Sequence, residues 1–561
     1  MPVTDTLAAQ AVLRAEPDAY DMAKAQLMGR QAAGYGFLRA AVQAREGRPI
    51  HGFTPSRTSA DRFADIVRGI DPTATADWVH SDHLHRFAEL GMLYIADATV
   101  AKHARLRLRV GPAAFSICGV THTTASIDSM DQITGALREA VMPWDALICT
   151  SSAVVETVRR VQEAEAEHLR WRFGEHVRPQ GPQLPLIPLG VHCDDFAFAQ
   201  PARTAARAAL GLADDEVAGL FVGRLAFHAK AHPMPILRGF QLAAEQTGQR
   251  MAVIFCGWFA HGGVEAAYRT GAEQFAPDVR VIFVDGRNAT SRDQAWAAAD
   301  LFASPSDSIQ ETFGLTPIEA MAAGLPVVAS DWDGYKDTVR DGVDGFRVRT
   351  WAPGAGMGQA LARAYETGAA NYDQYCWLAG ASTAVDISGY ARAIATLAAN
   401  PDLRRRMGEV GRRRTRELFD WPVVYRQYQE LWADLNARRA AAVADPATAQ
   451  WLKAAPKASA ARLDPFYAFG HYPTAVIGST TRLAATPGAT TGDVRALLAH
   501  PLFGSLAPPL DLYERLFIRV ADGDITVGDA ARHLSVGLPT LARCAATLVK
   551  AGVVGIAETS A

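Results

Sequence analysis

Apolar and polar positions along the chain fall into two successive series of short buried runs separated by helical patterns. In the first series, MLYIADA (92–98), FSICGVTH (115–122), ALICTS (146–151) and LPLIPLGV (184–191) are continuous apolar runs bounded by turns. That is the pattern of strands buried on both faces. Helical periodicity lies between them, as in SSAVVETVRRVQEAEAEHLRWRF (151–173). The second series begins near Gly219, where GLFVGRL, RMAVIFCG, DVRVIFVDG, DLFASPS, LPVVASD and GFRV alternate with helical segments such as HPMPILRGFQLAAEQTG. Strands alternating with helices need crossover connections, so two doubly wound parallel sheets are predicted. The join, CDDFAFAQPARTAARAALGLADD, reads as a hinge. WPVVYRQYQELWADLNARR, from Trp421, reads as an amphipathic helix closing the second half.

After about Ala440 the composition changes. AAAVADPATAQWLKAAPKASAA is low in complexity and reads as a linker, and residues 525–556 show two helical patterns split by a glycine turn. The predicted domains are therefore 1–200, 201–440 and a mainly helical extension, 441–561. A chain of 561 residues is too long for one ordinary core. The helix-turn-helix rhythm of the tail raises DNA binding as a reading. However, the net charge is −3 and the tail mixes both signs, so no nucleic-acid partner is expected and a docking or oligomerisation role is favoured. Six cysteines lie scattered without a CxxC pair, as expected of reduced, buried thiols. No signal-peptide pattern and no bilayer-length apolar run is evident, so a cytoplasmic location is expected, with peripheral contact at the inner membrane face as its variant.

The chemistry concentrates in SDSIQETFGLTPIEAMAAGLPVVASD (306–331), which holds Glu311 and Glu319. Thr316-Pro317-Ile318-Glu319 has the form of a capping box, in which Glu319 reaches back to the Thr316 amide. Glu311 has no such duty. If the stretch were wholly helical, the carboxylates would lie about 12 Å apart along the axis. A glycosidase pair needs roughly 5–9.5 Å, so convergence on one glycosidic bond is not indicated. Two separated carboxylates suit the two ends of an elongated, hydroxyl-rich ligand, and a helix start between them offers free N–H groups to phosphate. Those features describe a nucleotide-sugar.

ETFGLTPIEAMAAGLPVVAS resembles the E-x7-E motif of retaining GT-B glycosyltransferases, specifically their family 4. FVGRL with Lys230 is similar to that family's GRL…K phosphate signature. LICTSSAVVETV, IPLGV, DGVDGF and RRRMGEVGRRRTRELFDW match further blocks in order, and GRQAAGYGFL (29–38) is similar to the N-terminal glycine loop. The resemblance runs from Gly29 to about Leu435. It implies a GT-B fold, two Rossmann-like domains facing a cleft, and transfer of a sugar from a nucleoside-diphosphate sugar to an acceptor it does not specify. It implies that Glu311 contacts the donor sugar and Glu319 the ribose. Arg224 and Lys230 neutralise the diphosphate, with Gly223, Phe313, Gly314, Leu315 and Thr316 completing the donor site. His122 lies near the reacting sugar, and Gly34 and Gly36 let the first loop approach the ligand. No cofactor and no metal are expected, because the cations and helix amides serve in a metal's place. Two departures stand out: the Arg224–Lys230 spacing is one residue longer than usual, and DWDGYKD replaces Gly-Gly-x-x-Glu, keeping Gly334 with Asp337 for the acid. That loop, with Tyr335 and Lys336, is expected to bear on sugar choice.

Other residues receive weaker readings. His80, His83 and His85, beside Asp82, fit no standard zinc spacing. His228 and His232 flank Lys230 as candidates for shaping the phosphate loop. The arginines of 404–416 read as a solvated helical face, with anionic lipid as the alternative. A silent nucleotide-sugar sensor using the extension as output is the rival to an enzyme, and a hydrolase or epimerase on the same frame is a third reading.

Overall fold

A computed structural model describes residues 9–22, 29–227, 230–503 and 509–557. The chain divides into two compact units, Met1–Ser459 and Ala460–Ala561.

The first unit holds two six-stranded parallel sheets. β1 (Val12–Arg14), β2 (Ile50–Phe53), β3 (Ala76–Val79), β4 (Met92–Ile95), β5 (Ser116–Val120) and β6 (Ala146–Ile148) are arranged β3-β2-β1-β4-β5-β6. β7 (Val217–Val222), β8 (Met251–Gly257), β9 (Arg280–Asp285), β10 (Leu301–Ser304), β11 (Val327–Ser330) and β12 (Gly345–Val348) are arranged β12-β11-β10-β7-β8-β9. Both sheets thus follow the doubly wound order, with strand direction fixed by the helices that cross between strands. Every residue of β4, β5, β8, β10 and β11 is buried, as strands covered on both faces must be. The expected pair of Rossmann-like domains is present. In such sheets ligands bind beyond the carboxyl ends at the point where strand order reverses, here between β1 and β4 and between β7 and β10.

Three expectations are corrected. LPLIPLGV forms no ladder strand, since its prolines lack donors; it runs beside Cys149, with Cys149 N–H donating to the Pro185 carbonyl at 2.9 Å. The supposed hinge contains the helix Gln200–Ala209, anchored by Arg203 and Arg207 on Asp300 at 2.6 and 3.0 Å. The helix Trp421–Ala444 does not close the second half. It returns to the first sheet, where Trp421, Tyr425, Tyr428 and Trp432 pack on Phe37 and Tyr94 in one core.

The arginines of 404–416 are in part neither solvated nor lipid-facing. Arg404 donates to the Leu397 and Ala398 carbonyls, Arg412 to Ala323 and Arg414 to Asp337 and Thr338, so they close the C-terminal ends of neighbouring helices. Residues 352–383 leave the second sheet domain through a two-stranded neck, β13 (Thr350–Trp351) paired antiparallel with β14 (Ala384–Val385).

The second unit has its own core, built from Leu483, Val494, Tyr513, Leu516, Phe517, Leu541 and Leu548. The helix-turn-helix rhythm corresponds to the helices Val527–His533 and Leu538–Lys550. A three-stranded antiparallel sheet accompanies them: β15 (Arg482–Ala485) lies between β16 (Ile525–Thr526) and β17 (Val554–Ile556). All six cysteines are free and buried. No helix among the described residues is long and apolar enough to cross a membrane.

Candidate functional site

The second sheet places its chemistry at its reversal point. The segment carrying Arg224 and Lys230 leaves β7, and the segment carrying Glu311 leaves β10, the adjacent strand. The Lys230 Nζ donates to Glu311 Oε2 at 3.1 Å, and Glu311 is largely buried. The Lys230 loop is tied down at its far side, where Ser306 Oγ donates to the Lys230 carbonyl at 3.1 Å. Arg224 makes no side-chain hydrogen bond or ion pair among the described residues, and its charge reaches Cys376. Gly223, just before it, has φ 152°, a region closed to most side chains, where the strand turns out of the sheet.

The helix that follows Glu311 starts two residues earlier than the capping-box reading requires. It spans Leu315–Ala322 with Gly314 as its N-cap at φ 88°, and no side chain caps it. Glu319 is therefore released from capping duty, and the first amides of the helix have no side-chain acceptor. Burial pushes the Glu319 carboxyl up to about 7, while the charges of Arg292 and Lys230 pull it down. Arg292, on the helix Ala289–Ala298, is a cation that motif reading missed; no local pattern marks it.

The sugar-loop candidates separate into packing and polar groups. Tyr335 is buried, with its hydroxyl 2.8 Å from Ser304 Oγ, and its ring occupies the place a Gly314 side chain would need. Gly334 lies against the Phe313 and Thr312 backbone, and the Phe313 side chain packs in the core near Phe419. Tyr335 and Phe313 thus build the loops rather than offering side chains to a ligand. Asp337, standing for the family's acid, faces the other sheet domain: its carboxylate accepts from the Ser152 amide and hydroxyl at 2.6 and 2.8 Å. There it meets the positive end of the helix Ser152–Phe173.

Asp333 was missed, although Asp331-Trp332-Asp333 is a visible Asp-x-Asp triplet. Its φ is 44°, its Oδ2 is buried without a partner, and burial with the charge of Glu311 pushes its carboxyl up to about 8. Asp307, pushed by burial to about 7, accepts weakly from the His232 amide at 3.4 Å. His228 lies outside the described residues.

From the first sheet, His122 follows β5. Its Nε2 is buried without a partner, and burial lowers its pKa to about 4, so the imidazole is neutral at pH 7. The two carboxyl edges meet here: Thr312 Oγ1 donates to the His122 carbonyl at 3.1 Å, and Ser151 Oγ to the Thr312 carbonyl at 2.6 Å. Gly34 and Gly36 do not form a ligand-facing loop. They sit inside the helix Gly29–Gln43, where side chains would strike the Ala19 carbonyl and the Trp421 ring. Their smallness serves helix packing. His80, His83 and His85 stack edge-on in series, and no group of three metal-ligating side chains occurs among the described residues.

Residues 202–353 match the family model described as glycosyl transferases group 1. The D-inositol 3-phosphate glycosyltransferase of Nocardia farcinica is 31% identical over 235 residues, 41% of this chain and 50% of the relative. The enzyme of the same name from Mycobacterium tuberculosis is 35% identical over 245 residues, 41% of this chain and 47% of the relative. The chain thus spans about half the length of these curated relatives. Among solved structures, Anabaena HepE in complex with UDP aligns with 76% of this chain and 100% of its own at 17% identity, with a TM-score of 0.48. The segment that matches the family model carries the Lys230–Glu311 pair and the Gly314 helix start. Through that segment, and over about half the length of those relatives, this chain is similar to the glycosyl transferases group 1 family.

Proposed function

We propose that the protein transfers a sugar from a nucleoside-diphosphate sugar to an acceptor hydroxyl, with retention at the anomeric carbon and without a metal. The observation that carries this is the Lys230–Glu311 pair, 3.1 Å apart at the reversal point of the second sheet, beside an uncapped helix start. A carboxylate held by a cation suits a ligand with hydroxyls next to a diphosphate, because each charged group then meets its opposite. Sugar relatives in the family, named for D-inositol 3-phosphate, support a transferase reading.

In this reading the bond from the anomeric carbon to the diphosphate oxygen breaks first. Negative charge gathers on the departing diphosphate, which Arg224, Lys230 and the first amides of the helix Leu315–Ala322 meet with positive charge already in place. Glu311 holds the donor sugar and Glu319 the ribose. The neutral His122 offers Nε2 to a sugar hydroxyl without placing a second cation beside the oxocarbenium-like centre. The acceptor oxygen bonds on the face the diphosphate leaves, and the acceptor proton passes to a diphosphate oxygen.

Lys230→Ala or Arg224→Ala is expected to lower turnover of the donor about 10²–10³-fold, the usual loss for one donor to developing charge. A folded variant with unchanged turnover overturns the role. A thermal-shift panel of UDP-, GDP- and ADP-sugars identifies the donor, since a ligand that binds only the folded state raises Tm.

A further inference from the structure

All but the first two residues of the excursion 352–383 lie beyond the family match, yet the excursion reaches the loop that carries His122. It folds as two helices, Gln359–Glu366 and Tyr372–Ala381, the second opened by an Asn371–Gln374 capping box. No residue of the first helix is buried, so packing within a core does not hold it in place. What holds it is a set of tyrosines. Tyr365 and Tyr375 stack with ring centres 4.4 Å apart, and the Tyr365 hydroxyl accepts from the Ile127 amide at 3.1 Å. The Tyr372 hydroxyl lies 3.3 Å from Thr123 Oγ1, and the Gln310 side chain is among the polar groups that act on it. Cys376, buried beneath it, feels the charge of Arg224.

Thr123 directly follows His122, and Gln310 directly precedes Glu311. One hydroxyl therefore reaches the neighbour of His122 from a helix whose far end, at Gly380, packs against the Asp307 carbonyl of the loop that leads to Glu311. We propose that Tyr372 is a positioning residue for sugar transfer, its hydroxyl fixing the loop that carries His122 against the loop that carries Glu311. The proposal rests on the sugar-transfer reading and adds to it an element that the family match does not include. A misplacement of about 1 Å in such loops costs on the order of 100-fold in rate, so one bridging hydroxyl has leverage beyond its own bond.

The test compares the full chain with Tyr372→Phe, Thr123→Val and the double variant, reading hydrolysis of UDP-glucose, GDP-mannose and ADP-glucose with water as acceptor. Tyr372→Phe keeps the ring, and is expected to lower kcat about 10-fold with KM for the donor held within about twofold. The double variant is expected to lose less than the sum of the two single losses, because the two hydroxyls share one bond, while Thr123 Oγ1 also accepts from the Ala125 amide at 3.4 Å. Tyr365→Phe, which loses only the tie to Ile127, is expected to keep kcat and so separates positioning from mere attachment of the excursion. Unchanged kcat in Tyr372→Phe, a rise in KM alone, or additive losses overturn the proposal. A wild type that hydrolyses none of the three donors, and whose Tm none of them raises, instead overturns the sugar-transfer reading itself.

Discussion

Asp333 occupies the least comfortable environment of the cleft loops, with a left-handed backbone and a buried, unpartnered Oδ2. In the unfolded chain its carboxyl loses its proton near pH 4, whereas burial in the fold holds the proton up to about 8. Between those values the folded state binds more protons than the unfolded state. Stability therefore falls as pH rises through this window and levels off above it. Glu319 and Asp307, both pushed up to about 7 by burial, act in the same direction. Asp333→Asn is expected to raise Tm relative to wild type near pH 8.5 and to leave it nearly unchanged near pH 4, as thermal unfolding at both pH values will show. An equal gain at both contradicts the assignment. Glu311 and Lys230 were legible because a motif spacing marks them. Asp333 was not, since its burial depends on Tyr335 and Gly314 locking two loops together, which no local pattern records.

At the scale of elements, the second sheet was readable strand by strand because its strands are continuous Val, Ile and Phe runs. β1, β2 and β3 went unread: Val12–Arg14 is three residues long, and Ala76–Val79 is partly exposed at three of its four positions, Asp77 among them. The helix Trp421–Ala444 was readable as a helix but not in its destination. Amphipathicity records that a face is buried, not against which sheet. Its aromatic face is large, so Trp432→Ala is expected to cost about 3–5 kcal/mol, while the exposed Trp451→Ala stays within about 0.5 kcal/mol. Urea unfolding of the two variants measures both. Similar losses for the two would place the aromatic packing wrongly. Gly34 and Gly36 of the helix Gly29–Gln43 carry the same lesson, for their motif suggested a loop while the Ala19 carbonyl and the Trp421 ring demand their lack of side chain.

Over the whole molecule, the two parallel sheets followed from the two series of apolar runs, whereas a change of composition alone marks the approach to the second compact unit. A low-alphabet segment marks a change without showing where a new core begins, and the core here starts within Ala460–Ala561. Since that unit has its own core, a chain ending at Ser459 is expected to fold and to show the nucleotide affinity proposed for the full chain. In the proposed transfer, Lys230 at the reversal point grips the diphosphate while the Glu311 carboxylate beside it takes the sugar hydroxyls. Calorimetric titration of a nucleoside and its diphosphate, with uridine, guanosine and adenosine pairs in parallel, tests that grip in wild type and Lys230→Ala. The diphosphate of one base should bind more tightly than its nucleoside, and Lys230→Ala should erase about 10–100-fold of that difference while leaving the nucleoside unaffected. Equal affinity for nucleoside and diphosphate, or a difference that survives the loss of Lys230, would contradict the account.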